Sequence, residues 1–566
     1  MIVLPLVLAS LARAALASPA DPAAMDLDRW DLVRVDEPDY PGAVATSASG
    51  SVLLAPPTDH AWRVEEVPWI DQLDADQVQD PSPATLPAET GLEGVGTWVA
   101  WDADAALQVS PWQAAGFDGT RPDGSPIKVA IFDVQWYGLS LAADELGDVQ
   151  THDCWAQRSC ELPIDDLRPV FSWEVGSHGV ACAQLIRDLA PGVELHLVRV
   201  NGPTTLENAV DWAVREHIDI VSMSMSFFNN SFYDGTGPIS GLMKRLADGG
   251  LLMVTSAGNY AEQHWRGPFR DTDGDRIHEF FPDRRLLPIY MSAGANGPQV
   301  IWNDFDRCGH ADLALTVYAQ DGTVVGRSDD VQDGGQGCEP VERVRAWAET
   351  TDWYYLELSL SAGSPDVDID VLSRGGLVYQ GVAAGSVTDP GASAAVLTVG
   401  AVRADGYATN GPESFSSQGP TNGGLAKPDL AGPDGVTTSI YGPAGFYGTS
   451  AATPAVAATL AVLMSADPDI DAFEAARRLR GQTLDHAATW EVADPGVGAG
   501  PVRLAPPGTE LGGHGCGGRA LLLPLGLPAF LVRRRRGLAA TLSSSAAARR
   551  SRVAAPPRPA QPPREP

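Results

Sequence analysis

Short apolar runs alternate with longer amphipathic segments in the first half of the chain. The runs lie at residues 127 to 133 (IKVAIFD), 193 to 200 (VELHLVRV), 219 to 226 (DIVSMSMS) and 251 to 259 (LLMVTSAGN), and residues 205 to 217 between them have the apolar spacing of a helix. The first of these runs, bounded by Pro126 and an acidic residue, is typical of a strand buried on both faces of a parallel sheet. The pattern therefore predicts an α/β fold, a three-layer arrangement around a central, mostly parallel sheet.

A different pattern occupies residues 271 to 385. Apolar and polar residues alternate there with period two, as in ADLALTVYAQ and DWYYLELSL, and Asp-Gly turns separate the segments. The first pattern returns at residues 394 to 402 (AAVLTVGAV). We therefore expect an inserted all-β module at 271–385, which divides the α/β domain into residues 111–270 and 386–505.

The two ends differ from the middle of the chain. Residues 1–17 form an apolar stretch that ends in small residues, which predicts a signal peptide; the alternative is a short apolar N-terminus with a misassigned start. Residues 18–110 show no long periodic helix and are interpreted as an N-terminal region or propeptide.

Residues 506–566 contain 13 apolar residues followed by four arginines. A membrane or sorting segment is one interpretation, although a span needs about 20 residues; a disordered tail with one hydrophobic patch is the other.

Composition narrows the class of protein. The 566 residues are 44% hydrophobic and carry a net charge of −33, with 72 acidic and 39 basic residues. This balance indicates a globular, multidomain, soluble protein and argues against a nucleic-acid partner, because a phosphate backbone would be repelled.

Two local disulfides are predicted, Cys154 with Cys160 and Cys308 with Cys338, whereas Cys182 lies in an apolar helical run and is expected to be a small buried hydrophobe.

Four polar residues stand at the edges of apolar runs. Asp133 and Asn259 each end a predicted strand, at the sheet edge where open α/β sheets bind ligands. His178 and Ser450 each begin an apolar helix. Taken singly, each has an ordinary structural explanation as a turn or cap residue. Together they supply the carboxylate, imidazole, hydroxyl and amide that acyl transfer from an amide requires.

The nucleophile segment is residues 448 to 464 (GTSAATPAVAATLAVLM). A hydroxyl at the start of a helix lies next to free backbone N–H groups, and the helix dipole there favours a developing negative charge. Pro454 is expected to lie in the first turn, where no intrahelical N–H is needed.

The four segments resemble the subtilisin-like serine peptidases in their order and flanking residues. VAIFD resembles the strand that ends in the family's catalytic Asp, SHGVA its His motif, TSAGN its oxyanion strand and GTSAATP its nucleophile signature. The resemblance covers residues 111 to 265 and 386 to 500 and implies a serine endopeptidase that acts on proteins or peptides without a catalytic cofactor. It assigns Ser450 as nucleophile, His178 as base, Asp133 as the group that orients the base and Asn259 as the oxyanion donor.

The resemblance also implies a substrate-binding pocket lined by Ser224, Met225, Ser226, Ala257 and Gly258. Trp136, close after the Asp, departs from the family pattern and is expected to place bulk near the triad. Two alternatives remain open. One is a serine-carboxyl peptidase that uses a Glu as base, for which Glu174 is the candidate, and the other is an inactive surface binding protein that retains the scaffold.

Two further features concern metal binding and location. Asp271, Asp273 and Asp275 surround Gly274 at alternate positions, which predicts a structural calcium site; an acidic surface turn is the alternative. The β module resembles the jelly-roll domains of secreted bacterial peptidases. The tail, with Cys516 before its apolar stretch and arginines, is similar to myxobacterial sorting tags, although it continues for 30 residues beyond Arg536. We therefore expect a secreted or surface-anchored protein of a bacterial envelope.

Overall fold

The fold is described from a computed structural model of the chain. It covers residues 100–155, 158–165, 176–282, 284–307, 309–334, 339–484 and 495–509, together with the backbone of five short strands between residues 31 and 70. These five strands are β1 (Asp31–Val35), β2 (Ala45–Thr46), β3 (Ser51–Ala55), β4 (Arg63–Glu65) and β5 (Trp69–Ile70). The first four form an antiparallel sheet in the order β2–β3–β1–β4.

A seven-stranded parallel sheet forms the centre of the molecule. Its strands are β6 (Lys128–Asp133), β7 (Val149–Asp153), β8 (Glu194–Arg199), β9 (Ile220–Met223), β11 (Leu252–Ser256), β22 (Val396–Arg403) and β23 (Leu430–Asp434). Their order across the sheet is β23–β22–β11–β9–β6–β8–β7, and every adjacent pair is parallel. The carboxyl ends of all seven strands therefore lie along one edge of the sheet.

Helices cover both faces of this sheet. They are α1 (Trp101–Leu107), α2 (Ser110–Ala114), α3 (Ala143–Leu146), α4 (His178–Leu189), α5 (Pro203–Arg215), α6 (Gly237–Asp248), α7 (Thr449–Ala466) and α8 (Ala472–Leu479). On β6, Val129 and Ile131 pack in a core with α4 and α7, whereas Ala130 and Phe132 pack in a second core with α5 and α6. Because successive side chains of a strand face opposite sides, this alternation produces the three layers.

Antiparallel sheets lie between β11 and β22 in the sequence. Their strands are β12 (His264–Pro268), β13 (Leu287–Met291), β14 (Gly294–Trp302), β15 (Ala311–Tyr318), β16 (Val324–Ser328), β17 (Val341–Arg343), β18 (Ala346–Ala348), β19 (Asp352–Gly363), β20 (Asp368–Arg374) and β21 (Leu377–Val378). One sheet has the order β12–β20–β14–β17, with β18 also paired to β14, and the other β16–β15–β19–β13–β21. Apolar residues from both sheets form one core.

Three short strands complete the description. β10 (Met225–Ser226) pairs antiparallel with β5, and β24 (Val436–Thr438) pairs with β25 (Gly442–Phe446).

The predicted α/β fold class is thus confirmed. The domain boundaries stay predictions, and residues 100 to 109 contribute Ala100, Leu107 and Val109 to the core around α4 and α7.

Among the described residues one helix, α7, is long and apolar enough to cross a membrane, and 94% of it is buried inside the protein. The predicted signal peptide and the C-terminal apolar segment lie outside the described residues.

Candidate active site

Asp133 and His178 form a buried hydrogen-bonded pair. Asp133 is the last residue of β6, and His178 is the first residue of α4. Nδ1 of His178 lies 2.6 Å from Oδ2 of Asp133, and both side chains are fully buried. The other carboxylate oxygen accepts a hydrogen bond from the backbone N–H of Gln135 at 2.8 Å. The ring orientation of His178 is therefore fixed, and its Nε2 is buried without a hydrogen-bond partner among the described residues.

Gly179 explains how α4 approaches β6 so closely. A Cβ on Gly179 would lie 2.9 Å from Cβ of Asp133 and 3.0 Å from the ring of Trp136, distances that real Cβ atoms rarely reach. The indole N–H of Trp136 donates to the carbonyl of Asp133 at 3.0 Å, and the side chain is 1% exposed. The bulk that the sequence places after Asp133 is thus packed into the core beneath the pair.

Ser450 is the second residue of α7 and is fully buried. Its hydroxyl donates to the carbonyl of Ser224 at 3.5 Å, and the hydroxyl of Ser224 donates to the carbonyl of Ser450 at 3.1 Å. The carbonyl of Ser450 is open to Ser224 because Pro454, four residues later, has no N–H to donate. The expectation that Pro454 lies in the first turn was therefore wrong: α7 begins at Thr449, so Pro454 is its sixth residue and replaces an intrahelical bond.

Asn259 binds the turn that precedes Ser450. Its Oδ1 accepts hydrogen bonds from both the backbone N–H and the hydroxyl of Thr449, each at 3.0 Å. Its Nδ2 is buried and has no hydrogen-bond partner among the described residues. The side chain therefore uses its acceptor to hold the turn and leaves its donor available.

Cys182 lies between the two halves of the site. Its thiol comes within 4.8 Å of ligand atoms of both Asp133 and His178, and it donates weakly to the carbonyl of Ser450 at 3.9 Å. The thiol is free and 1% exposed, and burial raises the pKa of this thiol well above its ordinary value. The structure thus places Asp133, His178, Cys182 and the backbone of Ser450 in one buried cluster.

The predicted substrate-binding residues follow two neighbouring strands of the central sheet, β9 and β11. Ser224, Met225 and Ser226 follow β9, and the last two form β10, which pairs with β5 so that Met225 faces Ile70 in register. Ala257 and Gly258 follow β11. Gly258 has φ of +98°, and a Cβ there would lie 2.4 Å from the ring of Tyr260, so this turn requires glycine.

The three predicted metal ligands form a group of their own. Carboxylate oxygens of Asp271, Asp273 and Asp275 lie within 4.8 Å of one another. The guanidinium of Arg285 pairs with Asp273 and, at 2.6 Å, with Asp275. Asp271 accepts backbone hydrogen bonds from Gly274, Asp275 and Arg276.

Cys154 and Cys160 form a disulfide at the end of β7. Both members of the other predicted pair, Cys308 and Cys338, lie outside the described residues, as does Glu174, the candidate base of the rival enzyme class.

The model of the subtilase family matches residues 174–279 and 331–503. These two segments belong to the subtilase family. They contain His178, Ser224, Asn259 and Ser450, and Asp133 precedes the first of them. The prediction of a subtilisin-like serine peptidase is therefore confirmed for these two segments, at the level of the family.

Individual relatives of the subtilase domain are distant. The chain is 31% identical over 138 residues to the serine protease AprX of Bacillus subtilis (strain 168), a match that covers 21% of this chain and 30% of AprX. The chain thus spans about a third of the length of the curated relative that it matches. Among solved structures, the CspB protease of Clostridium perfringens covers 71% of this chain at 15% identity, with 97% of its own length covered and a TM-score of 0.48. The epidermin leader peptide processing protease EpiP of Staphylococcus aureus covers 88% at 12% identity, with 94% of its own length covered and a TM-score of 0.40.

Some contacts in the subtilase domain were not expected from the sequence. Cys182 was interpreted as a buried hydrophobe, and its place four residues after His178, on the same face of the helix, was the available signal for its contact with the pair. Ser224 was predicted to bind substrate, but its hydrogen bonds to Ser450 were not predicted. Thr449 was overlooked. Its hydrogen bonds to Asn259 join residues 190 positions apart, and no local sequence pattern predicts them.

Proposed function

We propose that the protein is a serine endopeptidase that hydrolyses peptide bonds in proteins or peptides through an acyl-enzyme intermediate. Asp133, His178 and Ser450 form its triad, and Asn259 is its oxyanion donor. The observation that carries this proposal is the fully buried hydrogen bond of 2.6 Å between His178 and Asp133. A buried carboxylate fixes the imidazole tautomer with Nε2 free to accept a proton, which is what a general base for a hydroxyl needs.

In the proposed reaction these groups act in turn. The hydroxyl of Ser450 rotates from the carbonyl of Ser224 toward Nε2 of His178, gives up its proton to that nitrogen and attacks the scissile carbonyl carbon. The oxyanion that forms accepts hydrogen bonds from Nδ2 of Asn259 and from the N–H of Ser450, which has no intrahelical acceptor as the second residue of a helix. His178 passes its proton to the leaving amine, and water releases the acyl group by the same steps.

Labelling with a fluorophosphonate tests this function. The probe should form an adduct on Ser450, and S450A and H178A should each abolish it. S465A is the matched control, because Ser465 lies in the same helix, is buried and donates to the carbonyl of Val462 at 2.7 Å. An intact, folded protein that forms no adduct on Ser450 would favour the alternative, a surface binding protein with a subtilase scaffold.

We also propose that the N-terminal region is removed before the site opens. Support comes from β5, which pairs antiparallel with β10, the strand that we assign to substrate. An extended substrate would use the same backbone groups. Helix α1 stays with the enzyme, since the carboxylate of Asp102 binds the N–H and hydroxyl of Thr437 at 3.0 and 2.6 Å. The mass of the active protein should therefore show cleavage after Ile70 and before residue 100.

The proposed location is outside the cell or on its surface. The disulfide between Cys154 and Cys160 supports an oxidising compartment, since cytosolic proteins rarely keep such bonds. Anchoring through the C-terminal apolar segment is part of the same proposal. Fractionation with antibodies to the two ends tests it: an intact C-terminus on protein released into the medium would contradict anchoring.

We further propose structural calcium at Asp271, Asp273 and Asp275. Three carboxylates within 4.8 Å provide the oxygen ligands that calcium prefers. The guanidinium of Arg285 competes for two of them, so calcium binding requires that this side chain move aside.

A further inference from the structure

A buried pair of carboxyl groups lies behind the turn that presents Ser450. Asp434 is the last residue of β23 and is fully buried. Its Oδ2 accepts a hydrogen bond of 3.1 Å from the backbone N–H of Gly448, two residues before Ser450. Gly448 has φ of +97°, a conformation that favours glycine, so the direction of its N–H is set by the turn itself.

The second carboxyl group belongs to Glu413. Oδ1 of Asp434 and Oε1 of Glu413 are both buried without a hydrogen-bond partner among the described residues, and the two carboxyl groups interact electrostatically. Two carboxyl groups can bond to each other only if at least one of them carries a proton. Burial raises the pKa of both carboxyl groups, and the charge of Glu413 raises the pKa of Asp434 further, whereas the guanidinium of Arg403 opposes both shifts. One proton shared by the pair satisfies these constraints.

The groups that face this pair come from three parts of the fold. Arg403, the last residue of β22, pairs in register with Asp434 and lowers the pKa of both carboxyl groups. Its guanidinium donates to the hydroxyl of Tyr447 at 3.2 Å and lies 5.3 Å from the centre of that ring. The phenol of Tyr407 donates to the carbonyl of Ala431 at 3.2 Å, and the charge of Arg503 acts on this phenol.

Three consecutive residues before Ser450 are therefore held by three separate groups. Arg403 contacts Tyr447, Asp434 binds Gly448 and Asn259 binds Thr449. The protonation states of Asn259 and Arg403 do not change with pH, because an amide does not titrate and a guanidinium stays protonated. Asp434 is the member whose state can change with pH.

We propose that Asp434 is a positioning residue for Ser450, and that the proton it shares with Glu413 keeps the turn in place. The inference rests on the proposed function. Protonated Asp434 donates to Glu413 with one oxygen and accepts from Gly448 with the other. Loss of the proton leaves two adjacent carboxylates in a buried site, and their repulsion pushes Asp434 and the turn apart. Activity should therefore fall on the alkaline side, reversibly, as the pair loses its proton.

Four variants test this inference by kcat and KM measured from pH 6 to pH 11. D434N should abolish the alkaline fall or move it up by at least about one pH unit, because its amide accepts from Gly448 and donates to Glu413 without titrating. E413Q should also move the fall upward. D434L should lower kcat about tenfold or more with little change in KM, as expected when the nucleophile is misplaced. Y407F is the control: it removes a buried hydroxyl beside β23 and should leave the alkaline fall unchanged.

Amide hydrogen exchange of residues 446 to 452 gives a readout that does not depend on activity. At a given pH, exchange in this segment should be faster in D434L than in wild type, while Y407F should match wild type. A D434N enzyme with the wild-type alkaline fall, or a folded D434L enzyme with wild-type kcat and exchange, would overturn the inference. If D434L fails to fold, D434N and E413Q decide. If wild type neither cleaves peptides nor reacts with the fluorophosphonate, the proposed function has failed, and the exchange data alone decide whether Asp434 positions the turn.

Discussion

Asn259 holds the turn at Thr449 and is proposed to bind the oxyanion, and substitution can separate these two roles. Its Oδ1 holds Thr449 through two hydrogen bonds of 3.0 Å, and its Nδ2 is free to meet an oxyanion. N259A removes both functions. N259D keeps an acceptor for Thr449 but replaces the donor with a negative charge. T449V removes one of the two hydrogen bonds and leaves the Asn259 amide in place.

The variants are expected to differ measurably in their losses of kcat and of folding stability. Loss of one oxyanion donor lowers kcat by about 10²–10³, or about 3–4 kcal/mol of transition-state stabilisation. Loss of the Thr449 contacts leaves a buried N–H without an acceptor, which costs about 1–3 kcal/mol of folding stability. We therefore expect N259A to lose both activity and stability, N259D to lose activity with a smaller change in Tm, and T449V to lose about 1 kcal/mol of stability with less than a tenfold change in kcat.

Steady-state cleavage of a peptide substrate, with urea unfolding of each variant, measures both quantities. KM should change little, since the oxyanion forms only in the transition state. If N259D keeps kcat within about tenfold of wild type, Asn259 is not the oxyanion donor. If N259A and T449V lower kcat equally, the amide acts only by holding the turn.

Three further predictions concern other parts of the protein. Chelation of calcium should lower Tm, and R285Q should enlarge that shift because it removes the competing guanidinium; a Tm that does not respond to chelator in either protein would remove the loop from the metal sites. Iodoacetamide at pH 8 should label Cys182 only after unfolding, because burial raises the pKa of its thiol; rapid labelling of native protein, read by peptide mass, would contradict this. Burial raises the pKa of Asp389 to about 7, so the folded protein holds this proton more tightly than the unfolded chain does. Its contribution to stability is complete below about pH 4 and is lost as pH rises through about 7, an effect on the order of 4 kcal/mol. D389N should flatten this part of the stability curve in urea unfolding, and an unchanged slope between pH 4.5 and 7.5 would show that Asp389 titrates normally.

The sequence predicted the sheet and the chemical groups because both depend on local pattern. Buried parallel strands are continuous apolar runs, and their carboxyl ends meet at one edge, so a polar residue after such a run has a predictable position. The positions of Asp133 and Asn259 at this edge were predicted in this way, whereas their roles came from the family resemblance. Partners that lie far apart in the chain were not predictable, since neither Asp434 nor Thr449 belongs to a periodic pattern that points to Gly448 or Asn259. The short strands β1 to β5 also escaped notice, because two to five residues are too few to show a period.

Trp136 and Pro454 show what residue type alone leaves open at this site. Trp136 was expected to place bulk near the triad, and its indole does bond to the carbonyl of Asp133 and lie against Gly179, but it packs into the core. A proline in α7 was expected to matter little, but its missing N–H frees the carbonyl of Ser450 for the hydroxyl of Ser224. The start of the nucleophile helix is thereby bonded directly to the segment that leads into β10. We therefore expect a shift of that segment to move Ser450 as well, so that the strand assigned to bind substrate and the residue assigned to attack it respond together.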